Sequence, residues 1–134
     1  MFSRNKNKHQ SRIDTLISTD TRLEGNITFS GGLRVDGQIK GDVNESSNTP
    51  GMLVLSEQGR IEGAVTVARV VLNGEVQGPV RSSQYLELLA KSRIKGDVYY
   101  KSLEIHTGAI VEGNLVHLGD GEQASGPIIP GNNN

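Results

Sequence analysis

The sequence contains no cysteine and no tryptophan. The first absence excludes disulfides and thiolate chemistry, and it suits a reducing compartment. Large rings are confined to Phe2, Phe29, Tyr85, Tyr99 and Tyr100. That is too little aromatic area for a conventional mixed core. No apolar run approaches the ~20 residues of a membrane-spanning helix. The N-terminus is basic but has no apolar segment behind it, so it does not read as a signal peptide. A large charge of either sign is also missing, the net value being −1. With no basic body and no aromatic platform, nucleic acid is a poor partner.

What is present is Val, Ile and Leu, which suit pleated strands. There are also 17 glycines in 134 residues, roughly twice the usual share. The glycines recur in a pattern, apolar-x-Gly-x-apolar. It occurs as Leu23-Glu-Gly25-Asn-Ile27, Ile39-Lys-Gly41-Asp-Val43 and Ile61-Glu-Gly63-Ala-Val65. It returns as Val76-Gln-Gly78-Pro-Val80, Ile94-Lys-Gly96-Asp-Val98 and Val111-Glu-Gly113-Asn-Leu115. An apolar pair precedes each glycine. It begins ten residues before it at Leu53/Leu55, Leu86/Leu88 and Leu103/Ile105, and eight before it at Leu33/Val35 and Val70/Leu72. Thr15 and Ile17 stand ten before Gly25 and make a weaker first copy.

A fixed period of this size marks a solenoid, here of about six rungs of roughly 17 residues. Alternation of apolar and other residues means strands. The rung is too short for helices and long enough for three short strands and three corners. The fold class is therefore all-β, a parallel β-helix of triangular section. Two inward stacks are predicted: Leu23, Ile39, Ile61, Val76, Ile94 and Val111, and beside them Ile27, Val43, Val65, Val80, Val98 and Leu115. The polar stretch from Asn44 to Gly51, with Pro50, reads as a loop bulging from a corner. "YLELLAKSRIKG" has some helical character, but it aligns rung for rung with "MLVLSEQGRIEG", which is poor helix material. The residue before each glycine runs Glu24, Lys40, Glu62, Gln77, Lys95, Glu112. Stacked ~4.8 Å apart, these would make a ladder with no like charges adjacent.

Three parts are expected: a basic tail over 1–12, the solenoid over 13–118 and a Gly/Pro/Asn-rich tail over 119–134. In the first, Met1 and Phe2 precede Arg4, Lys6, Lys8 and Arg12. An apolar tip with cations behind it can enter a bilayer interface, at roughly 1 kcal/mol per cation near anionic lipid. The second tail is expected to be disordered.

No catalytic constellation emerges. His9, His106 and His117 read as isolated surface histidines rather than zinc ligands, which must converge. Asp36, Asp42 and Asp97 fall at repeat positions, where corner hydrogen bonding is their expected role. Ser30-Gly31-Gly32 is a turn, with no helix behind it to bind phosphate. No metal, nucleotide or other cofactor is expected. A hexapeptide-type left-handed β-helix, as in acyltransferases or carbonic anhydrases, would need a six-residue period. A carbohydrate-binding solenoid would need aromatic platforms.

The repeated "IKGDV", "IEGAV" and "VQGPV" cores and the opening "IDTLISTDTRLEGNITFSGGLRVDGQIKGDV" resemble the bactofilin family over Ile13 to Leu118. Met1-Phe2-Ser3 with its basic stretch also resembles the membrane-targeting tip of part of that family. The resemblance implies a right-handed β-helix that polymerises without nucleotide into non-polar filaments. It implies a bacterial scaffold on the cytoplasmic membrane face that recruits cell-wall or morphogenesis proteins and is not an enzyme. A solenoid that stays monomeric needs polar caps, and no amphipathic cap helix is evident. The polymer contacts are thus expected at the end rungs, through Ile17, Leu23, Ile27 and Phe29 at one end and Leu103, Ile105, Val111, Leu115 and Leu118 at the other.

Overall fold

The computed structural model describes residues 12–119. These form 18 short strands and, among the described residues, no helix. The first rung is β1 (Thr15–Ile17), β2 (Arg22–Glu24) and β3 (Ile27–Phe29). The second is β4 (Gly32–Val35), β5 (Gln38–Lys40) and β6 (Val43–Glu45), and the third β7 (Met52–Leu55), β8 (Arg60–Glu62) and β9 (Val65–Thr66). The fourth is β10 (Arg69–Leu72), β11 (Glu75–Gln77) and β12 (Val80–Ser82). The fifth is β13 (Tyr85–Leu88), β14 (Arg93–Lys95) and β15 (Val98–Tyr100). The sixth is β16 (Leu103–Ile105), β17 (Ile110–Glu112) and β18 (Leu115–His117). Like strands stack in parallel into three six-stranded sheets, which makes the three-sided solenoid that the repeat predicts.

The register follows the glycine alignment. Leu33, Leu53, Val70, Leu86 and Leu103 are successive partners, as are Ile39, Ile61, Val76, Ile94 and Val111. Together with Val35, Leu55, Leu72, Leu88 and Val43, Val65, Val80, Val98, the members of these columns in the four middle rungs are sealed from solvent. Each such side chain contributes about 1.5–3 kcal/mol by leaving water. The segment with helical character folds as β13 and β14, joined by a turn. The loop begins later than expected. Asn44 and Glu45 belong to β6, and residues 46–51 form the bulge. Its base is held by Glu45, whose Oε1 accepts from the Gly51 and Ala68 amides at 2.7 and 2.8 Å.

The eight- and ten-residue offsets have one cause. The corner between the first and second sheets has four residues in rungs one, three, five and six, and two in rungs two and four. The long form is a turn closed by Thr21 N–H to Ser18 O (2.9 Å) or Gly59 N–H to Ser56 O (2.9 Å). The short forms are Asp36-Gly37 and Asn73-Gly74. Because both begin and end at the same ladder positions, the apolar columns are undisturbed.

The pattern glycine stands at the corner between the second and third sheets. Gly63 has φ +157°, and a Cβ built there would overlap the carbonyl oxygen of Gly41 in the rung before. Glycine is required by this close stacking as well as by its backbone conformation. The next residue supplies a side-chain ladder. Asn26 Oδ1 accepts from Asp42 N–H (2.9 Å), Asp42 Oδ1 from Ala64 N–H (2.9 Å), and Asp97 Oδ1 from Asn114 N–H (3.0 Å). Where Ala64 has no acceptor, the residue stacked on it is Pro79, which has no amide N–H to satisfy. Asp42 and Asp97 are thus corner residues, as expected. Asp36 instead pairs with Arg34 at 2.8 Å.

Candidate functional site

Two surfaces stand out: the open ends of the stack and a polar cluster on the first sheet. At the ends, among the described residues, β1, β2 and β3 have a ladder neighbour on one side only, as do β16, β17 and β18. Such edges present unpaired N–H and C=O groups to a further strand.

The expected contact residues divide. Leu23 and Ile27 at one end, and Leu103 and Val111 at the other, are half-buried against the last core layer. Ile105 and Leu115 are each 46% exposed. Ile17, Phe29 and Leu118, in contrast, are buried within the chain. They brace the ends and do not offer free surface. Phe29 lies under the loop, its ring close to where a Gly51 Cβ would stand. The sequence reading missed Ile13, Leu16 and Ile110, all exposed. Leu16 and Ile110 had a legible signal. They occupy outward columns in which the adjacent rung carries Arg34 and Arg93.

The outward ladder has the predicted register, Glu24 opposite Lys40, Lys40 opposite Glu62 and Lys95 opposite Glu112. Its ion pairs take other routes. Arg22 meets Glu24 along one strand (3.3 Å), while Arg60 and Lys95 both approach Glu75 (3.9 and 3.8 Å). Glu75 also accepts from Gln77 Nε2 at 3.0 Å. That hydrogen bond, followed by the nearby cations, holds its carboxyl below the ordinary value, against the opposing effect of desolvation.

Of the expected membrane residues, Met1, Phe2, Arg4, Lys6 and Lys8 lie outside the described residues. Arg12 is described, and its guanidinium pairs with Asp14 at 2.9 Å. Asp14 Oδ2 accepts from Gly32 N–H at 2.9 Å. That backbone hydrogen bond, then Arg12, lowers the carboxyl pKa. Asp14, held by Arg12, thus ties the lead-in of β1 to the second rung.

The histidines are less isolated than the sequence reading has them. His106 Nε2 lies 2.7 Å from Glu87 Oε2 and 3.6 Å from Glu104 Oε2. The Tyr85 hydroxyl donates to Glu104 Oε1 at 2.9 Å. Burial, then the hydrogen bonds to Glu104 and Glu87, push the Tyr85 pKa up. The convergence was hidden because the residues come from two rungs and a corner. Their column was nonetheless legible, since Glu87 lies between Leu86 and Leu88, and Glu104 between Leu103 and Ile105. His117 stands apart, with Nε2 3.1 Å from the Lys101 carbonyl oxygen and its ring tilted against Tyr100. Tyr99 lies under the Arg81 guanidinium.

Comparison with known proteins bears on these surfaces. A family model described as bactofilin, polymer-forming cytoskeletal, matches residues 15–116. Two similar curated proteins are from Myxococcus xanthus (strain DK1622). Bactofilin BacP is 26% identical over 113 residues, 84% of this chain and 45% of the relative. Bactofilin BacO is 26% identical over 102 residues, 76% of this chain and 78% of the relative. The chain thus spans under half of BacP's length. Among solved structures, the solid-state NMR structure of the cytoskeletal bactofilin BacA is similar at 35% identity and a TM-score of 0.67, over 78% of this chain and 95% of that one.

Proposed function

The chain belongs to the bactofilin family of polymer-forming cytoskeletal proteins, and from that premise we propose that it is a scaffold whose filaments grow by end-to-end contact of β-helices, without nucleotide or metal. The observation that carries this reading is the open apolar layer at each end. Ile105 and Leu115 are exposed beside half-buried Leu103 and Val111 at one end, and Leu23 and Ile27 are half-buried at the other. Like ends meet, so the filament has no polarity, and each contact is a two-fold one. The tail from Met1 and Phe2 through Arg4, Lys6, Lys8 and Arg12 holds the polymer on the cytoplasmic face of the membrane. Weak binding per chain becomes strong when many tails share one filament. The filament surface recruits proteins that build or remodel the cell wall, and it catalyses no reaction itself. A hexapeptide-type enzyme is disfavoured by the register-equivalent residues Leu33, Leu53, Val70, Leu86 and Leu103, whose intervals of 20, 17, 16 and 17 are not multiples of six.

The test is assembly of the full chain in EDTA with no nucleotide, seen by electron microscopy and sized by light scattering. A charge placed in a two-fold contact meets its own copy in a desolvated site, at a cost of several kcal/mol. Leu115→Arg should leave dimers joined by their N-terminal ends, and Ile27→Arg dimers joined by the other ends. The double variant should be monomeric, with β structure retained by circular dichroism in every case. Folded single variants that still form long filaments would remove the ends from the mechanism. In the same assay, filaments should sediment with anionic vesicles and cease to do so without residues 1–10. Unchanged sedimentation would remove the tail.

A further inference from the structure

We propose that Glu87, Glu104 and His106 form a binding site for a divalent transition-metal ion of the zinc type, which clamps the sixth rung to the fifth. Their ligand atoms, one from each residue, all lie within 4.8 Å of one another. A tetrahedral zinc with bonds of ~2.0–2.1 Å separates its ligand atoms by about 3.3 Å. His106 Nε2 is 2.7 Å from Glu87 Oε2 and 3.6 Å from Glu104 Oε2. These two distances bracket the required value, and the Glu87–Glu104 separation stays within 4.8 Å, so side-chain rotation can close the set on one ion.

Three further features favour a ligand over chance proximity. Glu87 and Glu104 are direct register partners. Among the described strand pairs they are the one case of like charges placed opposite each other, an arrangement that destabilises a sheet unless a cation sits between. Glu104 is also oriented. Tyr85 donates to its Oε1, which leaves Oε2 turned towards His106, the kind of outer hydrogen bond that fixes metal-bound carboxylates. Finally, the backbone is rigid where the ligands attach. Glu87 and Glu104 lie on paired strands, and His106 N–H bonds to Leu88 O at 2.8 Å. One imidazole and two carboxylates suit zinc and its neighbours better than magnesium or calcium, which prefer oxygen alone. Three protein ligands leave one position for water, and because the β13–β16 ladder already joins the two rungs, the ion adds a clamp at the edge of the stack.

The proposal is independent of polymerisation, and its test does not use filaments. Tag-free full-length protein, dialysed against EDTA and then freed of it, is titrated with zinc chloride by calorimetry. One saturable site per chain is expected, with no comparable heat from magnesium or calcium. His106→Gln and Glu104→Gln should each weaken binding at least tenfold, Tyr85→Phe should weaken it about tenfold, and His117→Gln should leave it unchanged. Amide exchange in residues 103–106 should slow with zinc. Absence of a saturable site, or binding that survives His106→Gln in folded protein, overturns the proposal.

Discussion

Leu88 and Ile105 are register partners one rung apart, yet Leu88 is sealed and Ile105 is 46% exposed. Val98 and Leu115 repeat the contrast on another side of the solenoid. The middle and terminal rungs share one sequence pattern, one strand geometry and one set of inward columns. Among the described residues, what differs is whether a further rung stacks on. An apolar residue here is core or interface according to its neighbour. The end of such a stack is therefore an interior cut open, unless something covers it.

The sharpest way to separate the two regions uses the pattern glycines. Gly63→Ala should destabilise by on the order of 4 kcal/mol or abolish folded yield, because the new Cβ meets the Gly41 carbonyl as well as an unfavourable φ. Gly25→Ala, in the first rung, has φ +129° and no atom near the added Cβ, so it should cost only about 1–2 kcal/mol. Denaturant melts of both variants would check this, and equal costs would mean that stacking is not what demands glycine.

A smaller contrast comes from truncation. Leu72→Ala in the fourth rung should cost about 3 kcal/mol, since it empties a sealed site. Ile105→Ala should cost about 1 kcal/mol or less in monomeric protein, because its side chain already meets water. Both are best measured in the Ile27→Arg, Leu115→Arg background, where no end contact remains to hide the difference. If Ile105→Ala costs as much as Leu72→Ala, the last rung is covered by some other part of the protein.

The smallest expected effect is electrostatic. Glu75 has its carboxyl held below the ordinary value of 4.5 by Gln77 and then by nearby cations. A depressed folded pKa adds stability that is complete above the unfolded value and is lost as pH falls through the folded one. Glu75→Gln should therefore lower stability at pH 7 by less than about 1 kcal/mol, the pairs being partly solvent-screened. It should also make the decline below about pH 4.5 shallower. An unaltered acid limb in a pH series of melts would assign the loss to other carboxylates.

Much of this was legible in the sequence because one glycine per rung sets the register of everything around it. Once Gly41, Gly63, Gly78 and Gly96 are aligned, the sealed columns follow from period two. The burial of Phe29 was not legible, because it depends on the loop at Gly51 packing on the ring and not on the repeat, and the sealing of Ile17 and Leu118 likewise cannot be read from the repeat, which marks both end rungs as open. Glu87, Glu104 and His106 fell between two habits of reading. Motif searches look along the chain, whereas these residues meet across rungs. The same alignment that placed Leu86 beside Leu103 also placed Glu87 beside Glu104, and only a column-by-column reading would have used it.

The two lengths of the first corner give the molecule a kind of grammar. Asp36-Gly37 and the four residues from Ser56 to Gly59 join the same pair of sheets, so chain length there is free to drift while the reading frame of the columns is preserved. From Ile61 through the Gly63 corner to Val65 the spelling is strict, since one residue added within β8 or β9 would turn the later side chains of that strand inside out. Insertions and deletions accepted over evolutionary time should therefore accumulate at the first corner and at the bulge of residues 46–51. Those are the places where a foreign peptide could be displayed, at rung spacing, along the outside of the solenoid.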